Sequence, residues 1–393
     1  MKSYVANTIT PYPLDVIKAL GSYVWDKQDQ KYLDFTCAHG VTNFGHNHPR
    51  LVRAVTEQVQ KVSMLSRFYR HEYLESSFQK LCEVTGFKQA LFMNSGAEAV
   101  ETCLKFARKW GYTVKGVSPN CANIIVCHNN FHGRTISLIS FSDMEKYRAD
   151  FGPFTPGFKL VPFNKIDALE QAIDDQTVAF LMESVQGESG VQIPDKAYVQ
   201  ACRDLCQKHR ILFIVDEIQA GLGRCGEILA CDNFDVKPDA ALVGKALGGG
   251  LLPVSALIGQ EEFMNVITPG DHGSTFGGYP LACAVAQEVL QVIDDENLLA
   301  NAREQGDFFL TELRGIKHPA IRQVRGIGVM IAIEIDAEAY PIKNIVQALM
   351  KRGLLVIETR GKVLRVFPPA TVSRSEICEA LEIIKTCFNQ DIS

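Results

Sequence analysis

Short, continuously apolar runs alternate with helical patterns between residues 90 and 259. Continuous apolar runs are typical of strands that are buried on both faces of a sheet. These runs begin at Ala90, Asn123, Val178, Ile211, Ala240 and Val254. Helical patterns over about 98–110 and 203–210 separate some of them. The pattern therefore predicts an α/β fold in which helices cover both faces of a mostly parallel sheet.

Polar or glycine-rich segments follow five of these runs, at the point where each strand ends. The segments are NSG at 94–96, HNNFHGR at 128–134, ESVQGE at 183–188, DEIQ at 216–219 and GK at 244–245. Ligands of open α/β sheets bind outside the carboxyl ends of the strands. We therefore expect these five segments to form the walls of one pocket.

The pattern changes after about residue 280, where helices and strands no longer alternate regularly. The predicted helices cover about 281–293, 296–313, 345–352 and 375–388, and the predicted strands lie within 324–335, 353–357 and 362–367. Two hairpin-like strands, 21–26 and 31–35, lie near the start of the chain. We predict a large domain over 46–280 and a smaller α+β domain over 281–393, against which residues 1–45 pack.

Composition and charge argue against several classes of protein. A net charge of -5 leaves no basic surface for nucleic acid or anionic membranes, and no apolar stretch approaches the roughly 20 residues of a membrane span. The first residues lack the apolar core of a signal peptide. The 12 cysteines are scattered without CxxC pairs, which favours reduced thiols over disulfides or structural zinc. We expect a cytoplasmic protein that binds neither membranes nor nucleic acid.

Lys245 follows an apolar strand and precedes a run of three glycines. Burial lowers the pKa of a lysine, and a partly neutral amine can attack a carbonyl carbon. Asp216 ends another apolar strand, where a carboxylate is costly unless it is paired. Its partner could be a protonated pyridine nitrogen, but helix capping or a lysine would explain Asp216 alone equally well. Lys245 downstream favours the pyridine interpretation.

Other polar residues have both structural and functional interpretations. Ser95 to Glu98 match a helix-capping box, and the same helix start could bind a phosphate through free backbone N–H groups. Arg134 is a candidate carboxylate ligand, and Phe131 could stack on a ring or belong to the core. Glu188 could pair with Arg365 or be a solvated acid.

Two histidine pairs and one glycine pattern suggest other chemistries. The first pair, His46 and His48, and the second, His128 and His132, lack further ligands in a metal-binding pattern, so no metal is expected. The segment GLGRCG at 221–226 matches the GxGxxG fingerprint of NAD-linked oxidoreductases. That fingerprint should join a strand directly to a helix, which the intervening residues 217–220 argue against.

The whole set of motifs resembles the class III aminotransferases, which depend on pyridoxal phosphate, and within them the ornithine and acetylornithine branch. The matching segments are NSGAEAVET at 94–102, FHGRT at 131–135, QGE at 186–188, DEIQAGLGR at 216–224, GKALGGG at 244–250, HGSTFGG at 272–278, VRGIG at 324–328 and RVFPPA at 365–370. They cover nearly the whole chain.

This resemblance implies the pyridoxal-phosphate-dependent transferase fold type I and a homodimer with shared active sites. It assigns the cofactor Schiff base to Lys245, which also serves as the proton-transferring base, and the pyridine nitrogen contact to Asp216. It implies further cofactor contacts, which are Ser95, Gly96 and Ala97 for the phosphate, Phe131 and Glu183 beside the ring, Gln219 for the ring hydroxyl, and Thr275 for the partner's phosphate. It implies substrate contacts at Arg134, Ser274, His39 and Arg365, with Arg365 binding 2-oxoglutarate and otherwise pairing with Glu188.

The predicted reaction moves the ω-amino group of N-acetylornithine or ornithine to 2-oxoglutarate, giving the semialdehyde and glutamate. Segment 105–116 looks like ornithine aminotransferases, whereas 37–49 looks like the acetylornithine enzymes, with His39 in place of a tyrosine. The chain departs from the family pattern at Ser184, Cys225 and Tyr279. The alternatives are a class III enzyme acting on 4-aminobutyrate or succinylornithine, a non-catalytic pyridoxal-binding protein, and the NAD-linked oxidoreductase.

Overall fold

The computed structural model describes residues 4–390 and 392, which fold into three sheets surrounded by helices. The strands are β1 Val16–Leu20, β2 Tyr23–Asp26, β3 Lys31–Asp34, β4 Gln89–Met93, β5 Asn123–Cys127, β6 Phe158–Val161, β7 Thr177–Glu183, β8 Leu212–Asp216, β9 Ala240–Val243, β10 Ser255–Gly259, β11 Ile321–Ile327, β12 Met330–Ile335, β13 Leu354–Leu355, β14 Ile357–Thr359 and β15 Val363–Val366. The helical segments are α1 Cys37–Gly40, α2 Pro49–Lys61, α3 Leu74–Thr85, α4 Gly96–Trp110, α5 Ile136–Ile139, α6 Glu145–Arg148, α7 Ile166–Ala172, α8 Lys196–Lys208, α9 Glu261–Met264, α10 Pro280–Asp295, α11 Leu298–Gly315, α12 Ile342–Lys351 and α13 Arg374–Gln390.

The central sheet has seven strands in the order β4-β10-β9-β8-β7-β5-β6. Strands β9, β8, β7, β5 and β6 pair in parallel, and β10 runs antiparallel to both of its neighbours. Along β8, Leu212 and Ile214 enter one hydrophobic cluster, and Phe213 and Val215 enter another on the opposite face. Both faces are therefore covered, as the continuous apolar runs predict.

The two chain ends meet in a second sheet. Its order is β1-β2-β3-β13, and the C-terminal strand β13 pairs in parallel with the N-terminal strand β3. The third sheet, β11-β12-β15-β14, is antiparallel. The predicted strand 353–357 is divided, because β13 and β14 belong to different sheets. These pairings support the predicted packing of residues 1–45 on the C-terminal unit, although the domain boundaries at 46 and 280 stay predictions.

The cysteines and the longest helices can be compared with what the sequence predicts for disulfides and membrane spans. The described part of the chain contains no disulfide, and most of the twelve cysteines are buried among apolar side chains. Within residues 4–390 and 392, no helix is both long and apolar enough to span a bilayer.

Candidate active site

A cavity of about 200 Å³ opens at the carboxyl ends of the central strands. All five polar segments that follow the predicted strands contribute to its wall. The lining residues are Gly96, Ala97, Phe131, His132, Gly133, Glu183, Val185, Glu188, Asp216, Ile218, Gln219, Ala220 and Lys245. Parallel strands bring their carboxyl ends to one edge of the sheet, so residues that are far apart in sequence converge there.

Lys245 lies directly beyond β9 and begins a short 3₁₀ turn. Its φ of 45° is unusual for a residue with a side chain and is held in place by the surrounding glycine-rich turn. Burial lowers the pKa of Lys245 to about 8, although the nearby charges of Glu188 and Asp216 act in the opposite direction. A sizeable neutral fraction of this amine is therefore present near neutral pH, as a nucleophile requires.

Asp216 is buried at the end of β8 and contacts His132, which sequence reasoning treated only as a metal candidate. The Asp216 Oδ2 atom lies 2.7 Å from Nδ1 of His132, and Oδ1 accepts from the backbone N–H of Ile218 at 3.0 Å. Burial alone would lower the pKa of His132, but the hydrogen bond and charge of Asp216 outweigh it and raise that pKa. The contact with His132 and the N–H of Ile218 together fix the orientation of the Asp216 carboxyl group.

Glu183 pairs with Asp216 across β7 and β8, so two carboxyl groups face the same cavity. Burial raises the pKa of Glu183 to about 8, and the charge of Asp216 adds to the effect. Glu183 is therefore largely protonated at neutral pH. Its Oε2 atom accepts from the backbone N–H of Phe131 at 3.2 Å, which fixes the start of the FHGRT segment. A protonated Glu183 adds no negative charge to this wall of the cavity.

Glu188 of the cavity wall forms an ion pair with Arg365 of β15, which is 3% exposed. Burial would raise the pKa of Glu188, but the charge of Arg365 outweighs it and lowers the pKa to about 2. The Gln219 side chain donates to Glu188 at 3.3 Å and to the carbonyl of His39 at 3.0 Å. Glu188, which lines the cavity, is thus the counter-ion of the buried arginine beside it.

His39 contacts Arg365 directly, with 2.9 Å between its Nδ1 atom and Nη2 of the arginine. A guanidinium only donates hydrogen bonds, so Nδ1 must accept and Nε2 carries the proton. Burial and the Arg365 charge also lower the pKa of His39, which keeps the ring neutral. Cys37 to Gly40 all have positive φ, and Arg224 anchors this left-handed turn by donating to Sγ of Cys37 at 2.9 Å.

The remaining predicted residues belong to the start of α4, to the FHGRT segment and to the segment around Ser274. Ser95 and Glu98 form the predicted capping box at the start of α4, while Gly96 and Ala97 line the cavity. Arg134 is exposed, with its guanidinium 3.9 Å from the ring of Tyr147. Two further residues, Ser274 and Thr275, do not line the cavity of this subunit. Ser274 Oγ accepts from the Asn94 side chain at 2.9 Å, and Thr275 is exposed.

The chain departs from the family pattern at Ser184, Cys225 and Tyr279, and the structure shows what each of these residues contacts. Ser184 is buried and donates to Glu217, whose pKa burial raises to about 7. Cys225 is buried with Sγ 3.7 Å from Sδ of Met330. Tyr279 precedes α10 and meets Phe276 edge-to-face at 5.4 Å.

The segment 221–226 is buried and leads into a 3₁₀ turn instead of a crossover helix, so the structure does not support a dinucleotide site there.

These residues fit pyridoxal phosphate. Within the described part of the chain, the buried Oε1 atom of Gln219 has no hydrogen-bond partner, although Gln219 lines the cavity. A ring hydroxyl would satisfy it. The start of α4 offers free N–H groups to a phosphate, Asp216 offers a carboxylate to a pyridine nitrogen, and Lys245 offers an amine to an aldehyde.

Comparisons with known proteins identify the family of the chain. A family model described as Aminotransferase class-III matches residues 4–388. Ornithine aminotransferase 2 of Staphylococcus saprophyticus is 45% identical over 385 residues, covering 98% of this chain and 96% of the relative. Ornithine aminotransferase of Bordetella pertussis is 48% identical over 367 residues, covering 93% of this chain and 89% of the relative.

Solved structures give the same family and confirm the predicted fold type I. The ornithine aminotransferase from Toxoplasma gondii has a TM-score of 0.97 at 40% identity, covering 98% of this chain and 92% of that one. Acetylornithine aminotransferase from Elizabethkingia anophelis has a TM-score of 0.89 at 39% identity, with coverages of 98% and 96%. The chain therefore belongs to the class III aminotransferases, enzymes whose cofactor is pyridoxal phosphate.

Proposed function

We propose that this enzyme transfers the ω-amino group of ornithine to 2-oxoglutarate, giving glutamate and a semialdehyde. The observation that carries the proposal is the ion pair between the buried Arg365 and Glu188, whose side chain lines the same cavity as Lys245. The ornithine aminotransferase names of the relatives at 45% and 48% identity support this donor.

Each residue of the cavity has a defined task in this proposal. Lys245 Nζ would hold the cofactor through its aldehyde and would serve as the base that moves a proton at the reacting carbon. Pyridoxal phosphate supplies an electron-poor ring that stores negative charge when a proton leaves the substrate. Asp216, supported by His132, binds the ring nitrogen and keeps it protonated.

Other contacts fix the cofactor in place. Ser95, Gly96 and Ala97 at the start of α4 bind the phosphate, together with Thr275 of the partner subunit. Gln219 binds the ring hydroxyl through its unpaired Oε1 atom. Phe131 packs against the ring, and protonated Glu183 adds no second negative charge.

The Arg365–Glu188 pair lets one site accept two kinds of substrate end. An ω-amino donor presents only methylene groups beside its reacting carbon, and an uncompensated buried arginine there would be costly. Glu188 neutralises Arg365 in that half-reaction. In the other half-reaction the α-carboxylate of 2-oxoglutarate takes the place of Glu188 on the guanidinium, which binds carboxylates bidentately.

N-acetylornithine is the second candidate donor, and His39 is the observation that favours it. With Nδ1 accepting from Arg365, the neutral ring offers the substrate only an N–H donor at Nε2. An N–H donor suits an acetyl oxygen or a carboxylate better than a charged α-ammonium group. In both candidates Arg134 binds the far carboxylate.

We also propose a homodimer with shared active sites. Thr275 is exposed in the single chain, and Phe68, which is 98% exposed, and Phe276, which is 50% exposed, are large apolar side chains that a partner would cover. A cytoplasmic location stays a prediction.

A half-reaction screen tests the proposed function. The pyridoxal-phosphate-loaded enzyme is mixed separately with ornithine, N-acetylornithine, N-succinylornithine, 4-aminobutyrate and acetyl-lysine, and loss of the visible cofactor absorbance is followed. We expect the highest efficiency with ornithine and recovery of the absorbance, with glutamate formation, on adding 2-oxoglutarate. Higher efficiency with N-acetylornithine would replace the first candidate by the second, and no transfer from any of the five would contradict both.

A further inference from the structure

Arg134 follows Gly133 of the cavity wall, and its guanidinium contacts two aromatic rings. Its guanidinium carbon lies 3.9 Å from the ring centroid of Tyr147 and 5.7 Å from that of Phe131. Among the residues that the structure describes, Arg134 makes no hydrogen bond and no ion pair. Stacking uses the flat face of a guanidinium and leaves its in-plane N–H groups free. Tyr147 therefore fixes the plane of Arg134 without consuming the donors that a carboxylate needs.

The ring of Tyr147 is itself fixed from several sides. It belongs to the short helix α6, is half-buried, and meets the Phe131 ring edge-to-face at 6.3 Å with an interplanar angle of 77°. Arg360, from the hairpin between β14 and β15, contacts Sδ of Met144 and donates to the carbonyl of Asn129 at 3.3 Å. The segment that carries Tyr147 is thus tied both to the strand ends and to the C-terminal unit.

Stacking on Tyr147 lowers the entropic cost of ordering Arg134 when a carboxylate binds. An exposed arginine normally samples many rotamers, and ordering such a side chain on binding costs about 0.5–1.5 kcal/mol. A guanidinium already stacked on Tyr147 has lost part of that freedom before substrate arrives. The benefit is confined to ligands that use the in-plane donors, so it discriminates between amines with and without a carboxylate at the far end.

We propose that Tyr147 is a positioning residue that makes the enzyme select amino donors bearing a carboxylate, through its stacking on Arg134. This inference rests on the proposed function, because it takes the far carboxylate of the donor as the ligand of Arg134. Tyr147 itself touches neither the reacting carbon nor the cofactor in this proposal.

The test compares ornithine with 1,4-diaminobutane, which is ornithine without its carboxylate. Steady-state kinetics are measured for wild type, Tyr147→Leu, Tyr147→Phe and Arg134→Gln, each loaded with pyridoxal phosphate. Tyr147→Leu removes the π face, and Tyr147→Phe keeps it and removes only the hydroxyl. We expect Tyr147→Leu to raise KM for ornithine about fivefold, equivalent to about 1 kcal/mol, with kcat unchanged. Tyr147→Phe should match wild type, and the efficiency with 1,4-diaminobutane should not change in either variant.

A double variant separates positioning from general damage. Because Tyr147 acts through Arg134, adding Tyr147→Leu to Arg134→Gln should produce no further rise in KM for ornithine. An additive loss in the double variant, an equal loss for both amines, or a fall in kcat instead of a rise in KM would overturn the inference. Failure of wild type to use ornithine at all would instead contradict the proposed donor, so the two failures are distinguishable.

Discussion

Replacing Glu188 by glutamine tests the carboxylate switch, since it keeps the shape of the side chain and removes its charge. In the proposed switch, the α-carboxylate of glutamate or 2-oxoglutarate has to displace Glu188 from the ion pair with Arg365. A hydrogen bond to a charged group contributes about 1.5–3 kcal/mol net, which corresponds to a roughly 10- to 100-fold change in affinity. The Glu188→Gln variant should therefore react with glutamate roughly 10- to 100-fold more efficiently than wild type. Its reaction with ornithine should slow, because the donor's methylene groups now face an uncompensated arginine.

The assay is stopped-flow absorbance of the cofactor after mixing with glutamate or ornithine in separate half-reactions. The Glu338→Gln variant, which removes a solvent-exposed acid, is the matched control and should keep the wild-type ratio. The Arg365 guanidinium is buried, so we also expect Glu188→Gln to lower the free energy of unfolding by about 3–5 kcal/mol. An unchanged ratio of glutamate to ornithine efficiency in Glu188→Gln would refute the switch.

Two further predictions depend on pKa values. Burial raises the pKa of Glu217 to about 7 against its ordinary 4.5, so the folded state loses stability as the pH rises through this interval. The Ser184 hydroxyl donates to Glu217 and opposes that shift, so Ser184→Ala should lower the free energy of unfolding by about 1–3 kcal/mol. Denaturant titration should show a larger loss near pH 8 than near pH 5. An equal loss at both pH values would refute the stabilisation of ionised Glu217 by Ser184. Covalent uptake of pyridoxal phosphate by the cofactor-free protein should speed up with pH and level off above about 8, since burial lowers the pKa of Lys245 to that value. A rate that rises steadily up to the ordinary lysine value of 10.5 would contradict a perturbed amine.

Local sequence patterns predicted those parts of the fold that depend on neighbouring residues. The continuous apolar runs gave the strands of the central sheet, and Ser95 with Glu98 gave the start of α4. Strand direction is not a local property, so nothing in the apolar run of β10 distinguishes it from its parallel neighbours. The edge strand β6 is only half-buried and lacks the continuous apolar pattern that marks the central strands.

The site shows the same division between local and distant effects. Positions at strand ends identified Lys245 and Asp216, because the carboxyl edge of a parallel sheet collects such residues. The contact between His132 and Asp216 joins residues 84 positions apart, and that between His39 and Arg365 joins residues 326 apart. Both depend on how whole elements pack, and Tyr147 carried no sequence motif at all.

Peptide mapping after borohydride reduction tests the central claim most directly. Borohydride makes the bond between pyridoxal phosphate and an enzyme lysine permanent, and mass spectrometry of a digest then locates the modified residue. We predict a phosphopyridoxyl group on the peptide containing Lys245. This modification should be absent when the enzyme has reacted with ornithine before the reduction. Modification of a different lysine, or a Lys245 peptide that stays modified after ornithine is added, would contradict it.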